Sequence, residues 1–414
     1  MGSCSAEDGV VSNRSLLAIA LAFSSGCGGT RHCTDVPNPT FTSTAVTVSG
    51  ATAVVSGVFL DIRGDVCGDK SRYVGTIHVV DLVAGTSRGK ALPGTEVESA
   101  DIPGRFAIAP DGSAAFAPVI YGAHAGDILR LDLSTMATRL IAIQGFAREA
   151  VLLGDGSGIA FPSDESPLPV LDLPAETFSS IATPGAIHAA MQGVGPLFAV
   201  GTTGGVLQID LPSRSVVREF ATSAATSLAL SDNGEWLFVS SPMTQTITRF
   251  ALANTAALSI VTGPGLEIAA LVSSNEVLIY TGAFSRLPVL PSPPYPYASY
   301  FVNLSSQVVT AAPLIVLDPP LALDTQRVLT TEATEGSWQG GAIITDLATG
   351  GRALAGPSQA RLSALARLDD GRILAVSDTG WGRGHPPAVF DRTVFILNGT
   401  TLAEEDAFGL KFPE

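Results

Sequence analysis

The chain is poor in the residues that several classes of function require. Of its 414 residues only Lys70, Lys90 and Lys411 are lysines, and its formal net charge is −15. Binding to a phosphate backbone needs a concentrated positive surface, which arginine and lysine clusters provide. An acidic chain without such a cluster is unsuited to that role, so we expect no nucleic-acid partner.

Motifs for metals and nucleotides are also missing. The five histidines show no pairing at the spacing of zinc ligands, and no P-loop is present. Asp61, Asp65 and Asp69 recur at every fourth residue and could gather Ca²⁺, although this is not the spacing of a known calcium loop. We expect no cofactor, with calcium at these three aspartates as the alternative.

The N-terminal segment has the pattern of an export signal. An apolar run, Ser15–Phe23, follows Arg14 and precedes Cys27, and it is too short to remain as a membrane-spanning helix. The small residues before Cys27 resemble a bacterial lipoprotein cleavage site, at which the cysteine becomes the lipidated first residue. We predict a signal peptide at residues 1–27 and a tether at residues 28–43. An ordinary export signal and a buried apolar strand are the alternatives.

Cysteine is scarce, and its four residues fit export. If Cys4 is removed with the signal and Cys27 carries the lipid, Cys33 and Cys67 remain. An even pair in an oxidising compartment favours a disulfide. We therefore predict a Cys33–Cys67 bond between the tether and the long loop of the first repeat, with two unrelated thiols as the alternative.

The chain contains about eight copies of one sequence motif, at a period of roughly forty residues. An apolar strand runs into a small-residue turn, a second apolar strand follows, and a third strand closes on Asp-Leu. The clearest copies are Arg105–Gly112, Ser227–Gly234 and Leu365–Gly371, with closing phrases at Asp81-Leu82, Asp132-Leu133, Asp210-Leu211 and Asp346-Leu347. This self-similarity predicts an all-β fold, a β-propeller at residues 44–414 with one four-stranded blade per copy.

We favour eight blades, with seven as the alternative. Small residues recur in the first strand of the repeats because the innermost strands crowd around the axis. The turn between the first strand (a) and the second (b) needs a residue that tolerates positive φ, as in Asp-Gly and Asn-Gly. The predicted a–b turns centre on Gly50, Gly112, Gly156, Gly193, Gly234, Asn275, Thr325 and Gly371.

The repeat resembles the YVTN and lactonase-like propellers of exported bacterial proteins. The resemblance rests on Ala107–Gly112, on Leu228–Gly234 with the following Leu237–Ser240, and on Ile77–Leu82. It covers most of the chain from about Ala45 onward. The resemblance implies a blade and not a particular chemistry.

The connections between the second and third strands (b and c) vary in predicted length, as from Phe59 to Gly75, from Ile120 to Gly126 and from Thr331 to Gly341, whereas the a–b and c–d turns stay short. In a propeller the b–c and d–a connections open on one face, so variation concentrated there predicts a recognition surface. Candidate ligand or partner residues on this face are Glu267, Trp338, Trp381, Arg383 and His385. The alternative is that the aromatic residues hold long loops in place by burying apolar area.

A second candidate site lies where the first strands begin, at the mouth of the central channel. Arg105, Glu149 and His188 stand at this place in successive repeats and could supply oxyanion stabilisation, a base and a proton carrier. Lactonase-like relatives use acidic, Arg and His residues there. The alternative is a ring of polar residues that lines a water-filled channel.

We therefore expect a non-enzymatic binding module, exported as a periplasmic or cell-surface lipoprotein and anchored to the membrane only by its lipid. Its expected partner is an envelope protein or glycan, and its expected state is a monomer. The alternative is a lactonase-like hydrolase with a polar site at the channel mouth.

The N-terminal interpretation predicts one intact mass and one thiol count. Protein purified from the membrane fraction should begin at Cys27 and carry a diacylglyceryl adduct, which intact-mass analysis measures. Ellman titration of denatured, unreduced protein should find no free thiol at Cys33 or Cys67. A mass without the adduct would contradict the lipid anchor, and two free thiols would contradict the disulfide.

Overall fold

The computed structural model describes most of the chain from the end of the predicted tether onward. The described residues are 40–62, 71–92, 101–165, 167–193, 195–202, 204–222, 224–231, 234–241, 243–254, 256–261, 267–273, 276–280, 299–303, 306–312, 321–324, 327–334, 337–346, 349, 351–355, 361–378 and 393–410. Within these ranges every regular element is a β-strand. No helix in this part of the chain is long and apolar enough to span a membrane.

The strands form consecutive antiparallel sheets, each built from one contiguous stretch of sequence. Sheet 1 contains β1 (Thr40–Ser49), β2 (Thr52–Ile62), β3 (Ser71–Asp81) and β4 (Thr86–Ala91). Sheet 2 contains β5 (Ile102–Pro103), β6 (Ala107–Ile108), β7 (Ala114–Tyr121), β8 (Ile128–Asp132) and β9 (Thr138–Ile141). Sheet 3 contains β10 (Val151–Leu152), β11 (Gly158–Ala160), β12 (Leu168–Asp172) and β13 (Thr177–Ile181). Sheet 4 contains β14 (Ile187–Gln192), β15 (Leu197–Gly201), β16 (Val206–Asp210) and β17 (Ser215–Phe220).

The same order continues to the end of the described chain. Sheet 5 contains β18 (Ser227–Leu230), β19 (Trp236–Ser241), β20 (Thr246–Ala251) and β21 (Ala257–Val261). Sheet 6 contains β22 (Glu267–Ser273), β23 (Glu276–Tyr280), β24 (Ser299–Asn303) and β25 (Val308–Ala312). Sheet 7 contains β26 (Leu321–Ala322), β27 (Arg327–Thr334), β28 (Ser337–Asp346) and β29 (Arg352–Ala355). Sheet 8 contains β30 (Arg361–Arg367), β31 (Ile373–Asp378), β32 (Thr393–Leu397) and β33 (Glu404–Gly409).

Among the described residues seven of these sheets have four strands, and sheet 2 has five. The extra strand arises because the inner strand of sheet 2 is interrupted, so that β5 and β6 both pair with β7. The prediction of an all-β propeller built from four-stranded sheets is confirmed. Each predicted a–b turn also lies between the first strand of a sheet and its neighbour.

The closing Asp-Leu phrase has two separate structural roles. The aspartate caps the turn between the third and fourth strands: Oδ1 of Asp132 accepts hydrogen bonds from the backbone N–H groups of Ser134 and Thr135, at 3.1 and 2.8 Å. The hydrogen bond from the Ser134 hydroxyl, together with the bonds from the Thr135 N–H and hydroxyl, holds the pKa of Asp132 well below its usual range. The following Leu133 is buried, and its N–H donates to the carbonyl of Ser113 in the a–b turn. The aspartate therefore fixes the turn, and the leucine contributes to the apolar core.

The core consists of apolar clusters that lie between sheets. Each described cluster combines side chains of two consecutive sheets, because a sheet of this size cannot bury either face alone. In one of them Phe116 of sheet 2 packs with Ile159 and Phe161 of sheet 3. In another Phe198 and Phe220 of sheet 4 pack with Phe250 of sheet 5.

The ring closes by packing between the first and last sheets. Val55 and Val80 of sheet 1 share a cluster with Leu374 and Val376 of sheet 8. Ser87 Oγ of β4 donates to the carbonyl of Gly409 at 3.1 Å. β1 pairs with β2 and so begins sheet 1.

Two predicted connections are shorter in the structure because the flanking strands extend further. The loop expected from Thr331 to Gly341 is a hairpin in which β27 and β28 continue to a Thr334–Ser337 pair. The loop expected from Phe59 to Gly75 is shortened to residues 63–70, since β2 runs to Ile62 and β3 starts at Ser71. Long hairpins pair their backbone groups without needing an apolar pattern on both faces, so composition alone did not reveal them.

Ring closure predicts a large difference between two identical substitutions. Leu374→Ala removes a fully buried side chain between sheets 1 and 8, and should lower the free energy of unfolding by about 2–5 kcal/mol. Leu354→Ala removes a side chain that is 58% exposed on β29 and should change it by less than about 0.5 kcal/mol. Urea unfolding of both variants measures this. Equal midpoints would show that the closing interface contributes little.

Candidate functional site

The residues predicted at the channel mouth lie at the same end of adjacent inner strands. Arg105 is exposed in the interruption between β5 and β6. Glu149 immediately precedes β10, and His188 lies in β14. The inner strands β6, β10 and β14 contact one another in this order. The structure therefore brings these three positions to one face of three neighbouring sheets.

Glu149 and His188 both make hydrogen bonds to the backbone of the next sheet. Glu149 Oε1 accepts from the N–H of Ala190 at 2.6 Å, which joins sheet 3 to sheet 4. His188 Nε2 lies 3.0 Å from the carbonyl oxygen of Ala225 and donates to it, which joins sheet 4 to sheet 5. Both side chains therefore connect one sheet to the next. The alternative predicted from the sequence, a polar lining of a water-filled channel, did not include this structural role.

A third inner-strand hydrogen bond of the same kind occurs in sheet 1. Thr47 Oγ1 of β1 donates to the carbonyl of Phe106 in sheet 2 at 2.7 Å. Beside it a small cavity of ≈ 200 Å³ opens among the inner strands of sheets 1 to 3. Its lining is mostly apolar and includes Val48, Ile108 and Leu152. This part of the channel wall offers no acid–base chemistry.

A buried carboxylate and a histidine form a polar pair on the loop face, the face that carries the b–c and d–a connections. Asp101 precedes β5 and its side chain is 3% exposed, whereas His124 in the β7–β8 connection is 48% exposed. Asp101 Oδ2 lies 2.8 Å from His124 Nδ1, and Asp101 Oδ1 accepts from the His124 N–H at 3.1 Å. The pair fixes the β7–β8 connection and the orientation of the imidazole.

Asp101 is not among the candidate residues predicted from the sequence, whereas His124 falls in a predicted b–c loop. The two residues are 23 positions apart, and only the fold places the segment before β5 against the loop after β7. A buried aspartate is unusual unless it is paired. The sequence therefore indicated only one member of the pair, the histidine in a predicted b–c loop. The fold is needed to place the aspartate beside it.

Arginine–carboxylate pairs join sheets further from the axis. Arg214 of sheet 4 binds Asp172 of sheet 3 through its guanidinium, and this hydrogen bond lowers the pKa of Asp172 below its usual value. Glu176 accepts from Arg130 Nε at 2.7 Å and from Arg139 at 2.6 Å. These partly exposed pairs link neighbouring strands and sheets rather than converging on one point.

A segment with the spacing of a serine-hydrolase nucleophile elbow, Gly85-Thr86-Ser87-Arg88-Gly89, is present in the chain. In the structure it runs from the turn before β4 into that outer strand, where Ser87 is buried and donates to the Gly409 carbonyl. An elbow requires a sharp turn between a strand and a helix that exposes the serine. This segment therefore has the spacing without the geometry.

A second opening is a groove between sheets 4 and 5, which we call the hydroxyl groove. Its volume is ≈ 490 Å³. Most of its lining residues carry hydroxyl groups and none is charged; they are Ala221, Thr222, Ser241, Thr244, Thr246, Thr248, Phe250, Ala257 and Ser259. Thr244 lies in the β19–β20 connection, so the groove reaches the loop face. The sequence analysis did not single out any of these residues.

Several predicted site residues lie where their side chains are not described. Glu267 is the first residue of β22, and Trp338 lies in β28 rather than in a loop. Asp61 lies in β2. Outside the described residues are Cys27, Cys33, Asp65, Cys67, Asp69, Trp381, Arg383 and His385. No group of three metal-binding side chains occurs within the described ranges.

Comparison with known proteins shows the fold and no family. No family model matches the chain, and no curated protein matches it by sequence. The dihydro-heme d1 dehydrogenase NirN, solved in complex with DHE, superposes with a TM-score of 0.53 over 82% of this chain and 72% of that one, at 12% identity. The computationally designed Ika8 protein superposes with a TM-score of 0.50 over 81% and 92%, at 14% identity.

A third solved structure, the β-propeller domain of the Trilobed protease from Pyrococcus furiosus, gives a TM-score of 0.45 at 10% identity, covering 91% of this chain and 97% of that one. Sequence identities this low carry no information about ligands or chemistry. The resemblance to YVTN and lactonase-like propellers therefore stays a prediction.

The hydrogen bond from Ala190 to Glu149 predicts a stability difference between two substitutions. Glu149→Ala leaves the Ala190 N–H without this acceptor and should lower the free energy of unfolding by about 1–3 kcal/mol. Glu149→Gln keeps an acceptor oxygen in place and should lower it by much less. Urea unfolding of the parent and both variants measures the difference. Parent-like stability of Glu149→Ala would remove the structural role assigned to this side chain.

Proposed function

We propose that the protein is a binding module that contacts its partner through the loop face. The difference between its two faces carries this proposal. On the opposite face, which we call the turn face, the a–b and c–d connections span two to six residues in every sheet. On the loop face the b–c connections span from two residues, between β27 and β28, to eighteen, between β23 and β24.

A rigid ring with one variable face is the arrangement by which propellers and other repeat proteins present binding loops. The scaffold is held by inter-sheet packing and by polar contacts such as Glu149–Ala190, so loop length can vary without loss of the core. The hydroxyl groove and the exposed Met243 both lie toward this face. These features support recognition of a partner by surface contact.

The partner that this proposal favours is a component of the bacterial cell envelope. The predicted signal peptide and lipid anchor would hold the module at the envelope, and the acidic chain without a basic cluster disfavours nucleic acid. A hydrolase at the channel mouth is not part of this proposal. Glu149 and His188 make inter-sheet hydrogen bonds, which account for polar residues at these positions.

We further propose that sheet 2 serves as a blade like the others, which gives a ring of eight. Its β5 and β6 together occupy the place of one inner strand. Consecutive inner strands contact one another from β1 through β6, β10, β14, β18, β22, β26 and β30, and β30 returns to β1. A crystal structure with seven blades around the axis would contradict this count.

The proposal predicts that charge on the loop face matters more than charge on the turn face. Met243, in the β19–β20 connection, is 82% exposed, and Val83, in the turn between β3 and β4, is 85% exposed. Met243→Glu should weaken binding of the labelled domain to purified envelope fragments by about tenfold, the effect of losing about 1.4 kcal/mol. Val83→Glu is the matched control and should leave binding unchanged. Cosedimentation at fixed ionic strength measures both.

Two results would contradict the proposal. One is absence of binding to envelope fragments by a folded parent protein. The other is an equal loss in both variants, which would indicate nonspecific repulsion by added negative charge and not contact through the loop face.

A further inference from the structure

The hydroxyl groove is built by side chains on one face of sheet 5. Thr246 pairs across the sheet with Ser241 on one side and with Val261 on the other, and Thr248 pairs with Ser259. Directly paired residues of antiparallel strands point to the same face. Three neighbouring strands therefore direct their hydroxyls into the gap between sheets 5 and 4, and Thr222 lines the groove from sheet 4.

These hydroxyls retain hydrogen-bonding capacity. Thr248 Oγ1 and Ser259 Oγ are 2.9 Å apart and share one hydrogen bond, and within the described part of the chain they have no other partner. Since each hydroxyl carries one donor and two acceptor lone pairs, one O–H and three lone pairs of this pair remain. Thr244 and Thr246 form a second pair at 2.8 Å, and Thr244 Oγ1 also donates to the Ser241 carbonyl at 3.2 Å. The groove can therefore both donate and accept hydrogen bonds.

None of the described residues that line the groove is charged, although the protein carries a formal net charge of −15. The neighbouring arginines are engaged elsewhere: Arg249 stacks on the Trp236 ring at 4.3 Å, and Arg218 donates to the Leu252 carbonyl at 2.6 Å. A phosphate or carboxylate would find no counter-charge among the lining residues. The lining therefore suits an uncharged ligand.

Apolar surface accompanies the hydroxyls. Phe250 is buried at the groove and packs against Phe220 with a centroid distance of 5.2 Å. Beside the groove Val261, which pairs with Thr246 and lies on the same face, is 73% exposed. A ligand that fits both features presents hydroxyl groups and C–H surface together, which is the chemistry of a sugar ring.

We propose that the hydroxyl groove binds a neutral saccharide chain. This inference rests on the proposed function, because it names the class of partner that the loop face contacts. Hydroxyls of the ligand exchange hydrogen bonds with the Thr248–Ser259 and Thr244–Thr246 pairs. The C–H surface of the ligand packs at Phe250 and Val261.

The test uses defined neutral hexasaccharides as probes: maltohexaose, cellohexaose and chitohexaose. Isothermal titration calorimetry with the folded parent should detect binding of at least one. The double variant Thr248→Val, Ser259→Ala removes both partners of one hydroxyl pair while keeping their shape, so its stability should stay close to the parent's. Its affinity should fall by about tenfold or more. The matched control, Thr177→Val with Ser180→Ala on the exposed strand β13, should bind as the parent does.

A second variant keeps the test informative if the double variant unfolds. Thr244→Arg places a long side chain at an exposed position of the groove mouth without touching the core, and it should reduce binding to a similar extent. Absence of binding by the parent at millimolar hexasaccharide, or parent-like affinity in both groove variants, would overturn the inference. If envelope fragments still bind in a Met243-dependent manner under either of those results, the saccharide assignment fails while the proposed function stands. Loss of fragment binding in the parent would remove the proposed function itself.

Discussion

Burial of sheet faces against neighbouring sheets is the constraint on which this molecule depends. A four-stranded sheet of short strands has two faces to cover and cannot do so alone. Each described cluster therefore joins two consecutive sheets, and the cluster of Val55 and Val80 with Leu374 and Val376 joins the last sheet to the first. A ring satisfies every sheet in this way and leaves no terminal face exposed. The channel, the loop face and the groove are all consequences of that closure.

Much of this architecture followed from local sequence chemistry. Gly112 and Gly371 have φ of 69° and 86°, the left-handed conformation that glycine adopts without steric cost and that a tight a–b turn uses. Asp132 and Leu133 were recognisable because one turn repeatedly needs a carboxylate cap and one core position repeatedly needs leucine. These turn and core residues can be recognised because they recur, since each copy of the motif meets the same steric requirement.

The site was less accessible from sequence, because its features depend on contacts between distant segments. Thr246 and Thr248 alternate with Ile247, which is the pattern of any half-buried strand. Only the gap between sheets 4 and 5 turns their polar face into a groove. Glu149 was identified as a channel-mouth residue, yet the bond to Ala190 requires knowing how the next inner strand is placed. The Asp101–His124 pair likewise appears only once the fold joins two loops.

The contiguity of each sheet has a consequence for how such a chain changes over evolutionary time. Sheet 3 takes all its strands from residues 151–181, and sheet 4 takes all of its own from 187–220. No strand is exchanged between sheets in the described part of the chain. A duplication or deletion of a gene segment of this length would add or remove a complete unit without breaking a strand ladder. The side chains that meet across a junction would then be free to diverge, so that a groove lined by hydroxyls can arise beside the apolar cluster that sheets 4 and 5 share.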